Sequence, residues 1–415
     1  VEKSVKTGVT ERVYVLGRRG GSTKGALNIG RYLALDGSLG SGVFLDAVRP
    51  HVVLICGKRG YGKSFTMGVI LEELASLPDE IRKNLSFLVI DTMGIFWTIA
   101  QENSKQSQLL EQWGVKPEGF DVEVFSPESS DGMSPFSIRT SELQPSDWCS
   151  LFNVSETEPI GILIARVTGD LLESVESYSV EDIIGRLRKD KRAPQAVIDG
   201  AENLFRAAEN WGIFQKDGTP TLSLVSPGRI SILDLSSVKN QNLRGVILSI
   251  LCKKIYSERV AARRVQEQKM MGVQNKEQSQ VPMVWMFIDE AHIFVPIDAK
   301  TPATDVLVNE WMRLGRQPGL SLVLATQRPS ALHREVMSQS DMVICHRLTS
   351  QDDIEALSAI RPTYMHESIG EAIKKMGKEK GVALVMDDTS ETTQVVKIRP
   401  RKSWHGGDEP SAAEV

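Results

Sequence analysis

Residues 57–64 read GKRGYGKS, and the six residues before them, 51–56, read HVVLIC. The first string is a complete G-x-x-x-x-G-K-[ST] phosphate loop. The second is an apolar run suited to a buried strand, and the FTMGVILEELASL that follows has helical spacing. Strand, glycine-rich loop and helix in that order is the context the motif requires. Gly57, Gly60 and Gly62 let the backbone curl so that successive N–H groups point inward at phosphates. Lys63 neutralises the terminal phosphates and Ser64 offers its hydroxyl to Mg2+. The expected ligand is ATP, cradled by Gly57, Lys58, Arg59, Gly60, Tyr61, Gly62, Lys63, Ser64 and Phe65.

With 415 residues, 41% hydrophobic and 25% charged, the chain can bury a core for one large domain or two modest ones. A formal net charge of −4 carries no polycation signal, so contact with nucleic acid would need a local basic lining. Cys56, Cys149, Cys252 and Cys345 are far apart and form no C-x-x-C pair, which argues against a zinc ribbon and against a disulfide framework. No apolar stretch approaches the roughly 18 residues that span a bilayer, and the first residues are charged rather than signal-like. A cytoplasmic protein with no membrane partner is expected.

Along the chain, residues 1–40 hold short alternating pieces (RVYVLG, NIGRYLAL) that suit a short N-terminal β segment, a lead-in or a reduced or truncated barrel. Within 41–133, strands at VVLIC, SFLVID and VEVF alternate with helical stretches, the α/β pattern of a parallel sheet. Residues 134–220 change to helical segments and read as a helical insertion. The sheet resumes over 221–395 with RISILDL, a long helix over 242–264, then VWMFID, LSLVLAT, MVICHRL, GVALVM and QVVKIR. Roughly eight or more strands are expected. The polar VQEQKMMGVQNKEQSQ after the helix reads as a loop, open to a DNA-facing role. Residues 396–415 read as a C-terminal tail, and KIRPRK at 397–402 as either a solvated run or a contact with DNA or a neighbouring subunit.

A second chemical cluster follows far downstream. VWMFIDEAH places Asp289 and Glu290 at the end of an apolar strand, the ligand-binding edge of a parallel sheet and the pattern of a Walker B pair. Asp289 can hold Mg2+ and Glu290 can polarise the water that attacks the γ-phosphate, although an acidic pair can also simply cap a helix. The next strand ends at Thr326 and Gln327, whose amide can donate to a phosphate oxygen and accept from the lytic water, unless Pro329 merely sets a turn there. In NEWMRLGRQPG, Arg313 and Arg316 are three residues apart near a helix end, placed to serve as an arginine finger or to complement the helix C-terminus. His292 and His405 lack a second ligand at helical spacing and are not read as metal ligands.

Together these residues resemble the HerA-FtsK superfamily, and within it the HerA branch. HVVLICGKRGYGKS, the strand-end aspartate of VIDTMGIFW, PGRISILDLSSV, MFIDEAHIFVP, RLGRQPGLSLVLATQRPSAL and VVKIRPRKSWHGG carry the likeness, from about residue 28 to 407. It implies a RecA-like P-loop NTPase core with a mostly parallel sheet, and a hexameric ring with ATP sites between subunits and double-stranded DNA in the pore. It also implies an ATP-driven translocase or helicase, often with a nuclease partner of the NurA type. Lys63 and Ser64 then hold phosphate and metal, Asp289 and Glu290 are the Walker B pair, Gln327 is the sensor and Arg316 the finger, with Arg313 in reserve. Other readings within reach are a conjugation or secretion coupling ATPase and a nucleotide-gated scaffold for a nuclease or defence effector. Three departures stand out. Only some fifty residues precede the loop where family members carry a β-barrel. Gly94-Ile95-Phe96 lacks the family's acid after Asp91. Lys58-Arg59 and Tyr61 replace the commoner small residues.

Overall fold

The computed structural model describes residues 13–19, 22–128, 132–273, 281–359 and 368–407. The strands run, in chain order, as β1 (Tyr14–Leu16), β2 (Ala26–Leu33), β3 (Leu39–Asp46), β4 (Val52–Cys56), β5 (Leu85–Asp91), β6 (Val122–Ser126), β7 (Ser134–Pro135) and β8 (Ile138–Arg139). They continue with β9 (Phe214–Gln215), β10 (Ile230–Asp234), β11 (Met283–Ile288), β12 (Leu320–Thr326), β13 (Met342–His346), β14 (Val382–Asp387) and β15 (Thr392–Ile398). Thirteen of them form one sheet in the order β1-β3-β2-β15-β14-β13-β4-β12-β11-β5-β10-β6-β7, while β8 and β9 pair separately. From β13 through β4, β12, β11, β5 and β10 to β6 every neighbour is parallel.

Every residue of β4, β5, β12 and β13 is buried. Such unbroken apolar runs are what a parallel strand needs when helices cover both faces. On one face lies the Lys63–Ala75 helix, contributing Met67, Val69, Ile70, Leu71 and Leu74 to a core with Val53, Ile55, Phe87 and Trp285. On the other, helix Gln241–Met270 and helices Pro145–Phe152, Pro159–Ser174, Val180–Leu187 and Gln195–Asn210 share one core with Leu54, Leu88 and Met286. The helices of the 134–220 stretch are thus continuous with the sheet's packing. No helix among the described residues is long and apolar enough to cross a membrane. All four cysteines are buried and free.

Three sequence expectations are revised. The helix expected over 242–264 runs on to Met270, so the VQEQKM of the anticipated loop is helical; Arg259, buried on it, donates to Pro318 O and Val281 O. Residues 271–273 form the turn that ends this helix, and 274–280 lie outside the described residues. The N-terminal strands do not stand apart as a barrel remnant, because β2 pairs antiparallel with β15 and draws β3 and β1 into the main sheet. The basic KIRPRK run is neither a solvated tail nor free for DNA. Lys397 pairs with Glu379, and Arg399 and Arg401 are 1% and 2% exposed against Glu72.

One buried charge cluster fixes the strand that carries the phosphate loop. His51, immediately before β4, donates from Nδ1 to Asp341 Oδ2 at 2.7 Å, and Asp341 Oδ1 also accepts Val52 N–H at 2.9 Å, tying β4 to the start of β13. Asp46 lies 3.7 Å from the ring's other nitrogen. Burial pulls the imidazole pKa down, but the Asp341 and Asp46 carboxylates outweigh it and hold the value at about 9. A folded-state pKa above the unfolded one stabilises at low pH: the contribution is complete below pH 6.5 and fades as pH rises through about 9. Urea titrations of wild type and His51→Gln should therefore differ by roughly 2–3 kcal/mol at pH 6 and by much less at pH 10. A difference independent of pH would show that His51 is neutral in the fold.

Candidate active site

The parallel ladder decides which strand ends meet. Cys56, the last residue of β4, is in register with Thr326 at the end of β12 and with Cys345 near the end of β13. Ile288, the last of β11, is in register with Leu324 of β12 and Ile90 of β5. The 57–64 loop, Gln327, the Asp289–Glu290 pair and Asp91 therefore emerge side by side at one edge of the sheet, where ligands of parallel sheets bind.

The loop's glycines are conformationally required. Gly60 and Gly62 have φ of +77° and +120°, and Gly62 N-caps the Lys63–Ala75 helix without any side-chain cap. A Cβ on Gly57 would sit 2.6 Å from His346 Cβ, so the loop is pressed onto that histidine. The helix's first turn carries no acidic residue, and its N-terminal N–H groups and positive dipole end suit an anion. Lys63 is 6% exposed, and among the described residues its ammonium donates to the Lys58 carbonyl at 3.5 Å. Burial lowers its pKa against the opposing fields of Glu290 and Asp289. A buried ammonium beside a helix start without a side-chain cap fits a triphosphate. Lys58, Arg59 and Gly60 form the exposed tip, Tyr61 faces the Arg347 guanidinium at 5.8 Å, and the Ser64 hydroxyl is partly exposed.

Asp289 is 2% exposed and accepts Glu290 N–H at 2.9 Å. Burial, with the charges of Glu290 and Asp91 adding to it, pushes its carboxyl up to about 7. Among the described residues no cluster of three or more His, Cys, Asp or Glu is placed to hold a metal. One carboxylate and one hydroxyl fit Mg2+, which keeps several waters and takes its remaining ligands from phosphates. Asp91 serves differently: its carboxylate accepts the N–H groups of Met93, Gly94, Ile95 and Phe96 at 2.7–3.0 Å, shaping the turn into the Phe96–Ala100 3₁₀ helix.

Glu290 has φ +49°, a left-handed conformation that costs a non-glycine residue about 1 kcal/mol or more and commonly marks a functional site. That geometry turns its carboxylate to the neighbouring strand end, where Oε1 accepts from Gln327 Nε2 and Oε2 lies 3.3 Å from His292 Nδ1. Lys63, Asp289, Glu290 and Gln327 are thus brought together. Arg313 and Arg316 are not. Both follow the π-helix Val306–Met312 and precede β12. Gly315 O accepts Leu320 N–H at 2.8 Å, which sets the turn carrying Arg316 beside the start of β12, at the end of that strand opposite Thr326. Arg313 is committed to Glu335 at 3.0 Å and Asn309 at 3.2 Å, whereas Arg316 is exposed with no ion pair to a described residue.

Sequence reasoning missed His346. It closes the buried MVICH strand, and a polar group ending an apolar strand beside the loop strand was the available signal. Its Nδ1 donates to Val382 O at 3.1 Å, which leaves Nε2 to accept from Thr66 Oγ1 at 2.9 Å. Burial lowers its pKa to about 4 despite the carbonyl, and Lys63's charge adds to the lowering. A neutral ring thereby supports Gly57 and Gly62 without repelling Lys63.

Residues 27–255 match the family model for the helicase HerA central domain. The probable DNA double-strand break repair helicase HerA of Methanocaldococcus jannaschii is 25% identical over 195 residues, 43% of this chain and 38% of that protein. The DNA double-strand break repair helicase HerA of Pyrococcus furiosus is 23% identical over 260 residues, 58% of this chain and 42% of that protein. The matched regions thus span about two-fifths of these relatives' lengths. Among solved structures, the bacterial conjugative coupling protein TrwB superposes with a TM-score of 0.54 at 13% identity, covering 92% of this chain and 91% of that one. The large, mostly parallel sheet with the phosphate loop at its edge agrees with this likeness to the P-loop NTPase fold. With more than half of its length under the family model, the chain belongs to the HerA helicase central-domain family.

Proposed function

We propose that the chain is an ATP-hydrolysing motor that moves along double-stranded DNA as a homohexameric ring, in DNA end processing or repair alongside a nuclease of the NurA type. The observation that carries this is the meeting of Lys63, Asp289, Glu290 and Gln327 at one sheet edge while Arg316 stands exposed near the other. In this reading a neighbouring copy supplies Arg316 to such a site, so that hydrolysis depends on assembly. The names of the two archaeal relatives support the DNA reading. Residues 41–133 and 221–395 are read as the two halves of the ATPase core, with 134–220 inserted between them.

The backbone of 57–64 and Lys63 hold the β- and γ-phosphates. Bound Mg2+, held by Ser64 and Asp289, supplies further neutralisation of phosphate charge. Glu290 takes a proton from the water that attacks the γ-phosphorus, the bond to the ADP oxygen breaks, and ADP and phosphate leave. Gln327 holds Glu290 until its amide is drawn to a phosphate oxygen, which delays proton abstraction until the triphosphate is in place. Arg316 from the adjacent copy stabilises the transition-state charge. Movement along DNA would use phosphate contacts rather than base contacts, and so be salt-sensitive and indifferent to sequence.

Two outcomes are expected. Lys63→Ala should lose ATP binding, whereas Glu290→Gln should bind ATP like wild type yet hydrolyse it about 10²–10⁴-fold more slowly on linear duplex DNA; wild-type turnover by Glu290→Gln would contradict the assignment. Arg316→Ala should lose about a thousandfold in turnover and recover part of it when mixed with Lys63→Ala subunits that still present Arg316. No recovery on mixing would place the arginine's role within one chain.

A further inference from the structure

Beside the phosphate loop lies a small cleft of about 40 Å³, open to solvent and lined by Phe65, Asn103, Lys105, Gln106, Trp404 and His405. These come from three segments remote in sequence: the first turn of the Lys63–Ala75 helix, the stretch after the Phe96–Ala100 turn, and the chain beyond β15. A large part of the polar packing is spent on bringing them together. Glu72, fully buried on that helix, accepts Arg401 Nε at 2.6 Å, the backbone N–H groups of Lys402 and Ser403 at 3.0 Å each, and the Ser403 hydroxyl at 2.6 Å. Its pKa is lowered: burial would raise it, and Arg401 and Arg399 overcome that. Gly68 makes the approach possible, since any Cβ there would overlap the Arg401 guanidinium. Trp404 N–H then donates to Gln101 O at 2.8 Å, and Asn103 Nδ2 to Arg401 O at 2.9 Å. The C-terminal strap is fixed at both sides, and with it the rings of Trp404 and His405.

The cleft has the chemistry of a site for a flat π-system. Phe65 and His405 meet edge to face with centroids 5.4 Å apart, and Lys105 Nζ stands 4.4 Å from the centroid of the partly exposed Trp404. Gln106 Oε1 accepts from Asn103 Nδ2 at 3.2 Å, which leaves its amide N–H to donate to a ring nitrogen. Phe65 directly follows Ser64, so the cleft begins one residue from the phosphate loop. The Asp289, Glu290 and Gln327 cluster at the ends of β11 and β12 shares no residue with this cleft.

We propose that this cleft is the base subsite: the purine of the bound nucleotide stacks among Phe65, Trp404 and His405, with Lys105 and Gln106 at its rim. This assignment rests on the 57–64 loop binding a nucleoside triphosphate and adds to it which residues read the base. Aromatic stacking on a base is commonly worth five- to about a hundredfold in affinity, while inorganic tripolyphosphate, which has no base, is indifferent to it.

Equilibrium binding of ATP and of inorganic tripolyphosphate, each with Mg2+, to the full chain separates the two contributions. Trp404→Ala should weaken ATP about tenfold and leave tripolyphosphate unchanged, Trp404→Phe should stay within about threefold of wild type for both, and Lys63→Ala should lose both. Lys105→Ala alters an exposed side chain and keeps the test open if Trp404→Ala does not fold; it should weaken ATP about threefold and spare tripolyphosphate. Wild-type ATP affinity in Trp404→Ala and Lys105→Ala, or equal loss of both ligands in a folded variant, would overturn the base subsite while leaving the phosphate site standing. Failure of wild type to bind either ligand would overturn both.

Discussion

The hydrogen-bonded register of five buried parallel strands, β13, β4, β12, β11 and β5, is the constraint on which the rest of the molecule depends. Each strand is apolar on both faces, and each ends at the same edge in a residue or loop with chemistry in it. A shift of one residue in any pair would turn its buried side chains to the other face and retract or advance its functional end by about 3 Å. Because β4 lies between β13 and β12, the phosphate loop is flanked by His346 on one side and Gln327 on the other, with Asp289 and Glu290 one strand further. Packing on two faces thus supplies the precision that the site's charges require.

Those charges are held at a cost. A lysine 6% exposed, an aspartate 2% exposed and a glutamate 8% exposed share a small volume with few hydrogen-bond partners of their own. The upward shift of the Asp289 carboxyl and the downward shift of the Lys63 ammonium both record the penalty of burial without a compensating ligand. In the proposed function a triphosphate with Mg2+ would relieve both, which gives ligand binding a driving force beyond its direct contacts. Glu290 finds a partner within the chain, where Gln327 Nε2 donates to its Oε1.

What was legible in the sequence was local or periodic. The GKRGYGKS loop declares itself because its glycines stand at fixed spacing, and Asp289 and Glu290 draw notice because they end an apolar run. The α/β class followed from strands such as VVLIC and SFLVID alternating with helical stretches. Contacts between distant residues were hidden. Glu72 lies within a helical stretch, and nothing local marks it as the partner of Arg399 and Arg401, more than 320 positions away. The run containing those arginines looked like a solvated or DNA-facing charge cluster because its countercharges are on another element. The antiparallel pairing of β2 with β15, which pulls the N-terminal strands into the main sheet, joins two chain ends and has no local signature. VQEQKM was read as loop for its polarity, but a helix already nucleated at Asn240 and packed through Arg259 and Ala262 carries polar residues past its buried portion.

A structure of the protein with a non-hydrolysable ATP analogue and Mg2+ tests the central claim most directly. The account predicts the β- and γ-phosphates inside the curve of residues 57–64, with Lys63 Nζ about 3 Å from a γ-phosphate oxygen and Glu290 facing the γ-phosphorus across one water. An analogue bound elsewhere, or phosphates at the loop with Glu290 on the far side of the sheet edge, would contradict it.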